Sequence, residues 1–277
     1  MTLRDLQSAL FKIYLNPGFR LAHKLDPAGF VDHLQLKGEY ADLVLHLSPD
    51  QIDEFASGLN SKRMLTLSTA MPFTNAWLKE NHRGILDAFQ EVSVSSRLGG
   101  RMDTNLKFVD FIEECRDFHD DVPAALPDVA RLEFLLFSSR GGSATQTGAE
   151  QVDVSVPHFS WESLYWKPAR TTTAAFSNDA LSILLGRKNI EDDSEPTWIV
   201  ITADASGGRP TILRITESAF HTLDGLEEPV SASALFQYTQ ERQLDVSREA
   251  LQALLMRLDQ SNIIGSYYMC EASVDSE

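Results

Sequence analysis

Thr197-Trp198-Ile199-Val200-Ile201-Thr202 and Thr211-Ile212-Leu213-Arg214-Ile215 decide the fold. Both are strand-length runs of β-branched, aromatic and aliphatic residues. The stretch between them, Asp204-Ala205-Ser206-Gly207-Gly208-Arg209-Pro210, is turn chemistry, so the pair predicts two adjacent strands. One signature then recurs three times: Ile215, Thr216 and Phe220; Val230, Ser231 and Leu235; Val246, Ser247 and Leu251. Each gives an apolar residue, a hydroxyl, and a second apolar residue four places after the hydroxyl. Such a hydroxyl accepts an orphan backbone N–H at a helix start, and the apolar pair fixes the angle of approach. Three helices are therefore predicted. The last carries Leu251, Leu254, Leu255 and Leu258 at i, i+3, i+4 and i+7, one apolar stripe. It closes near Asn262, before Ile263-Ile264-Gly265 and the apolar run Tyr267-Tyr268-Met269.

The first half reads as all-helical. Leu3, Leu6, Leu10, Ile13 and Tyr14 share a face over residues 3 to 15, and Asn16-Pro17-Gly18 stops that helix. Phe19 to Leu25 is a short segment, and further short helices are expected over 28–34 and 39–46. Leu47, Ser48, Pro49, Gln51 and Ile52 make a staple, an N-cap, a first-turn proline and a capping box. Lys62-Arg63 ends that stretch, and Met64 to Met71 is apolar up to Pro72. Helical patterns follow at Phe73–Leu78, Gly84–Phe89, Leu106–Phe118 and from Pro127 onward. Ser138 to Gly148 is Ser, Gly and Thr rich and predicts a linker. Gln151-Val152-Asp153-Val154-Ser155-Val156 alternates like a strand, Trp161, Leu164, Tyr165 and Trp166 form an aromatic cluster, and Leu181 to Arg187 is a candidate first strand of the late sheet. The expected class is α+β: an all-helical N-terminal domain, then a small antiparallel sheet plus three helices in a winged-helix-like arrangement. The expected domains are 1–137, a linker and accessory strand region over 138–180, and 181–277.

A chain of 277 residues has room for two cores. Its net charge of −16 argues against nucleic acid, because phosphate binding needs a basic face. Two cysteines, Cys115 and Cys270, are too few for a disulfide framework and suit a reducing, cytoplasmic setting. Neither a signal peptide nor a run of about 18 apolar residues is read, so no membrane partner is expected.

No residue set argues for catalysis or metal binding within the chain. The seven histidines include no His-x-x-x-His pair. Glu113, Glu114, Cys115, His119, Asp120 and Asp121 read as a solvated acidic helix end. Ser139 to Gly142 lacks the Lys-Ser/Thr of a phosphate loop. Arg214, the one charge in its strand, is either a solvent-facing residue or a partner for an acidic peptide side chain. The Leu251 stripe is a core seam whose edge, Met256 in particular, could floor a groove. The aromatic cluster is either core or a contact surface.

Ile212-Leu213-Arg214-Ile215-Thr216-Glu217-Ser218-Ala219-Phe220, then Leu223-Asp224-Gly225, the Leu235 helix, and Leu251 to Ile264, resemble in order a PqqD-type domain. That family is the leader-recognition element (RRE) of ribosomally made, modified peptides. The resemblance implies that an extended leader adds to the sheet beside the third strand and packs on the third helix. The implied peptide-binding residues are Thr211, Ile212, Leu213, Arg214, Ile215, Leu251, Leu254, Leu255 and Leu258. In the first half, Asp26-Pro27, Leu47-Ser48, Phe55-Ala56 to Lys62-Arg63, Pro72-Phe73-Thr74 and Leu126-Pro127-Asp128-Val129-Ala130-Arg131-Leu132-Glu133 resemble the TglI/MbnC-type partner subunits of multinuclear non-haem iron peptide oxidases. Length and layout are most similar to the 3-thiaglutamate type.

These resemblances imply a non-catalytic subunit in peptide natural-product maturation. It would pair, as a heterodimer, with a TIM-barrel iron oxidase and with a precursor peptide. The iron would belong to the oxidase, with no cofactor in this chain, and the modified residue would be a cysteine of the peptide, whose β-carbon is excised in the 3-thiaglutamate case. The alternatives are a winged-helix transcription regulator, the partner of a methanobactin-like oxidase, or a solitary enzyme using carboxylates such as Glu113, Glu114 and Asp117.

Overall fold

The computed structural model describes residues 3–92, 101–141, 159–192, 194–204 and 208–267. Among them are thirteen helices and two three-stranded antiparallel sheets. The chain divides into two compact units, Met1–Val122 and Pro123–Glu277. No helix among the described residues is long and apolar enough to cross a membrane.

The first unit is helical: α1 (Leu3–Leu15), α2 (Pro17–Leu25), α3 (Pro27–His33), α4 (Glu39–Leu45), α5 (Pro49–Ala70), α6 (Pro72–Asn81), α7 (Arg83–Val92) and α8 (Arg101–Phe118). Proline opens α2, α3, α5 and α6, where its missing N–H costs nothing. Asn16 and Asp26 cap α2 and α3: Gly18 N–H donates to Asn16 Oδ1 at 2.8 Å, and Gly29 N–H to Asp26 Oδ1 at 2.9 Å. The short segment expected over Phe19–Leu25 is thus a capped helix. Ile13, Phe30, Val31, Val44 and Ile52 bury the shared face of α1 to α5. Two expectations are corrected. Lys62-Arg63 does not end a helix; α5 continues to Ala70, because nothing there removes a backbone donor until Pro72. Ser48 stands at the N-cap of α5 with an extended backbone, but its side chain makes no capping hydrogen bond, so the hydroxyl half of the box is not formed.

The second unit contains α9 (Leu126–Gly141), β1 (Leu164–Trp166), β2 (Thr171–Phe176), α10 (Ala180–Leu184), β3 (Thr197–Thr202), β4 (Thr211–Ile215), α11 (Glu217–Asp224), β5 (Val230–Ser231), α12 (Ala232–Glu241), α13 (Arg248–Gln260) and β6 (Gly265–Tyr267). The contact division falls at Val122 and Pro123 rather than near residue 137, because α9 packs on α10 and β3. Leu181–Arg187 is not a strand. Asp179 caps α10 through its carboxylate, which accepts from Ser182 N–H, and the first strand of the sheet is the threonine-rich β2. Gln151–Val156 lies outside the described residues.

The larger sheet has the order β2-β3-β4 and an unbroken register, with Ala174 opposite Ile199, Val200 opposite Leu213 and Ile201 opposite Ile212. Because side chains alternate, Ile199, Ile201, Ile212 and Arg214 share one face with Phe176. Arg131 of α9 sits 5.8 Å from the Phe176 ring, and Arg214 bonds to Ser182 of α10, so α9 and α10 cover that face. Val200, Leu213 and Ile215 take the other face and pack into the cluster of Leu223, Leu226, Leu235, Leu251, Leu255, Leu258, Ile263 and Ile264. Tyr165 is buried in the same cluster, with Phe159 and Trp161 against it, while Leu164 and Trp166 are half-buried, so Tyr165 is the core member of the aromatic cluster. The second sheet, β5-β1-β6, sets Trp166 directly opposite Gly265.

All three predicted caps form in the C-terminal helices. Ala219 N–H donates to Thr216 Oγ1 at 3.2 Å, Ala234 N–H to Ser231 Oγ at 3.2 Å and Ala250 N–H to Ser247 Oγ at 3.1 Å. The C-termini of α10, α12 and α13 share a device. Gly186, Gln243 and Asn262 follow α10, α12 and α13 in the left-handed region, at φ 67, 55 and 55. The next N–H in each case reaches back five residues, as Ile263 N–H does to Leu258 O at 2.9 Å.

Candidate peptide-binding edge

β4 is an edge strand. Its only neighbour among the described residues is β3, so along its other side alternate residues direct N–H and C=O groups away from the sheet. Thr211 and Arg214 are exposed, while Ile212, Leu213 and Ile215 are half-buried. Five of the nine expected binding residues therefore lie along an edge that no described strand pairs. The other four lie on α13, and the structure separates them. Leu251, Leu255 and Leu258 are buried in the core, which leaves them the role of seam. Leu254 and Met256 are half-buried, and Leu254 packs against the core from outside.

Arg214 is held, not free. Its Nη2 donates to Asp179 Oδ1 at 2.6 Å and to Ser182 Oγ at 3.1 Å. The arginine side chain is 51% exposed and the aspartate 8%, so a buried carboxylate anchors a cation that reaches the surface. Burial pushes the Asp179 carboxyl up. Hydrogen bonds from Ser182, from its side chain and backbone, and from Arg214, together with the guanidinium charge, outweigh burial and hold it below the ordinary carboxylate range. Asp179 N–H donates to Ser194 Oγ at 2.9 Å, and the Asn178 N–H and side-chain amide both donate to Asp128 Oδ2 at 2.8 Å. β4 is thereby tied through α10 to α9. Asp179 and Ser182 were not among the expected site residues; the Asp-x-x-Ser spacing of a helix start was their signal.

The candidate catalytic residues show no assembled centre. Glu113, Glu114 and Asp117 are exposed on α8, and Cys115 is half-buried, its thiol pushed up by burial and then by Glu114. His82 Nδ1 lies 3.7 Å from Asp121 Oδ2, with its ring stacked on Trp77. Among the described residues, no three His, Cys, Asp or Glu side chains are grouped to hold a metal ion. The first unit does carry an apolar cleft of about 530 Å³ lined by Phe19, Ala22, Leu25 and Phe30.

No protein-family model matches the chain, and no curated protein matches its sequence.

Proposed function

We propose that the chain is a non-catalytic subunit of a peptide-maturation complex, whose β4 edge takes an extended leader peptide as an added strand. The observation that carries this reading is the outer edge of β4, which no described strand pairs, followed in order by three hydroxyl-capped helices that pack one face of its sheet. Added strands gain affinity from main-chain hydrogen bonds and selectivity from side-chain contacts, and β4 offers main-chain groups on its outer side with the half-buried Ile212, Leu213 and Ile215 along it. The order strand, helix, short strand, helix, helix, strand from β4 to β6 supports a winged-helix-like, PqqD-like arrangement for the second unit.

In this reading the helical unit docks a TIM-barrel iron oxidase of the multinuclear non-haem type, which supplies the iron and the oxidation. The captured peptide presents a cysteine to it, and a 3-thiaglutamate-type excision is the proposed chemistry. The contribution of this chain is proximity: a tethered peptide meets the oxidase at an effective concentration on the order of mM. Co-purification tests the reading. The tagged chain is expressed with its untagged genomic neighbours, and the recovered proteins are identified and assayed for iron. An iron-bearing barrel protein and a small peptide are expected; recovery of DNA, or of the chain alone, would overturn it.

A further inference from the structure

The apolar cleft of the first unit lies between α2 and α3, which Asp26 joins. Phe19 and Phe30 meet edge to face in it, with ring centroids 5.9 Å apart, and Phe30 is buried. Ala22 is exposed, and Leu25 is 76% exposed. A leucine standing in water beside an apolar cleft marks a surface that gains by being covered. The polar groups of the lining are few. Asn16 is occupied by its cap bonds from Gly18 and Phe19, and His33 is exposed. Asp26 carries the one formal charge on the lining. Its Oδ1 accepts the cap bond from Gly29 N–H, and no described residue donates to its Oδ2. A Cβ at Gly29 would collide with that Oδ2, so the free oxygen lies against a residue of the cleft wall. Over residues 16–33 the charges balance, Arg20 and Lys24 against Asp26 and Asp32, so any charge selection here is local. The cations turn elsewhere. Arg20 donates to Tyr14 O at 3.0 Å and lies 3.6 Å from Asp53, and Lys24 lines a separate cleft with Asp53. Lys12, whose Nζ is 5.8 Å from the Phe19 ring centroid, lines a third cleft with Asp32.

We propose that this cleft docks a partner protein by one large apolar side chain set beside a lysine or arginine. The apolar group covers Phe19, Ala22 and Leu25, and the cation meets Asp26 Oδ2. Leu25 and Asp26 are adjacent, so the complementary pair is close as well: neighbours in an extended segment, or one turn apart on a helix. A small molecule held in the cleft would leave Leu25 in water, whereas a protein segment covers floor and rim together. Burial of the apolar group supplies most of the affinity, and Asp26 sets the choice of neighbour, because an exposed ion pair is worth little by itself. The inference holds whichever protein the helical unit meets, and it does not depend on what β4 binds.

Random twelve-residue peptides displayed on phage test the proposal. They are selected on the full chain and then depleted of those that bind A22W, whose added ring fills the floor from an exposed position. The survivors should carry Leu, Phe or Trp beside Lys or Arg, or three or four residues from it. In solution they should bind A22W at least about tenfold more weakly, and L25A about threefold more weakly. D26N keeps the cap, because the asparagine oxygen accepts the same N–H, and removes the charge. It should weaken these peptides about threefold, and leave unchanged the binding of the same peptides with the basic residue replaced by Ala. Survivors that lack a basic residue, or that bind D26N as well as the unaltered chain, would overturn the proposal, as would a library from which nothing survives depletion. Self-association of the unaltered chain that A22W abolishes would give the cleft to a second copy and overturn it too.

Discussion

Arg214 Nη2 lies 2.6 Å from Asp179 Oδ1, joining the edge strand of the larger sheet to the first turn of α10. The carboxylate is buried and the guanidinium half-exposed, so the two partners are not equivalent when removed. Replacing Arg214 by Ala leaves a buried charge with fewer donors. Since the arginine is well hydrated, the cost is discounted to about 1–2 kcal/mol. Urea unfolding of R214A should show that loss, with an unchanged m value.

The same pair makes a pH-dependent contribution with a definite sign. The Asp179 carboxyl is held below its ordinary value, so the folded state releases its proton more readily than the unfolded state. Its stabilisation is fully present above the unfolded value of about 4, and is lost as pH falls through the lower folded value. The stability difference between the unaltered chain and D179N should be constant from pH 7 to 5 and shrink below pH 4. A difference that grows on acidification would contradict this sign.

Gly265 faces Trp166 across the β1–β6 pair, and a Cβ there would meet the Trp166 indole ring. G265A forces the ring out of place or parts the strands, at about 1–3 kcal/mol. Tryptophan emission should shift to the red in the folded variant.

The three hydroxyl caps are separate contributions. T216A, S231A and S247A should each cost about 1 kcal/mol, and their effects should add, because the caps share no partner. Thermal unfolding of the single and triple variants checks both statements.

β3, β4 and α11 to α13 were legible because their signals are local. A run of β-branched and aliphatic residues after a Gly-rich turn marks β4, and a hydroxyl between two apolar residues marks each of these helix starts. α10 was not legible as a helix, because Leu181-Ser182-Ile183-Leu184-Leu185 is too short for periodicity to separate helix from strand. Asp179, which decides the matter as an N-cap, precedes that run. β2 hid in Thr171-Thr172-Thr173-Ala174-Ala175-Phe176, where small and polar residues blur the inside–outside pattern. In the helical half, Ser48 has the right neighbours for a capping box, yet its side chain makes no capping bond. The anchoring of Arg214 needed the fold, because Asp179 and Ser182 are more than thirty residues away.

Amide hydrogen exchange on β4, with and without a leader peptide recovered by co-purification, tests the added strand most directly. Binding should slow exchange at alternate amides from Thr211 to Ile215 by at least about tenfold, because outward N–H groups then gain partners. Saturated binding with β4 exchange unchanged, and protection elsewhere, would contradict the assignment of β4 as the peptide-binding edge.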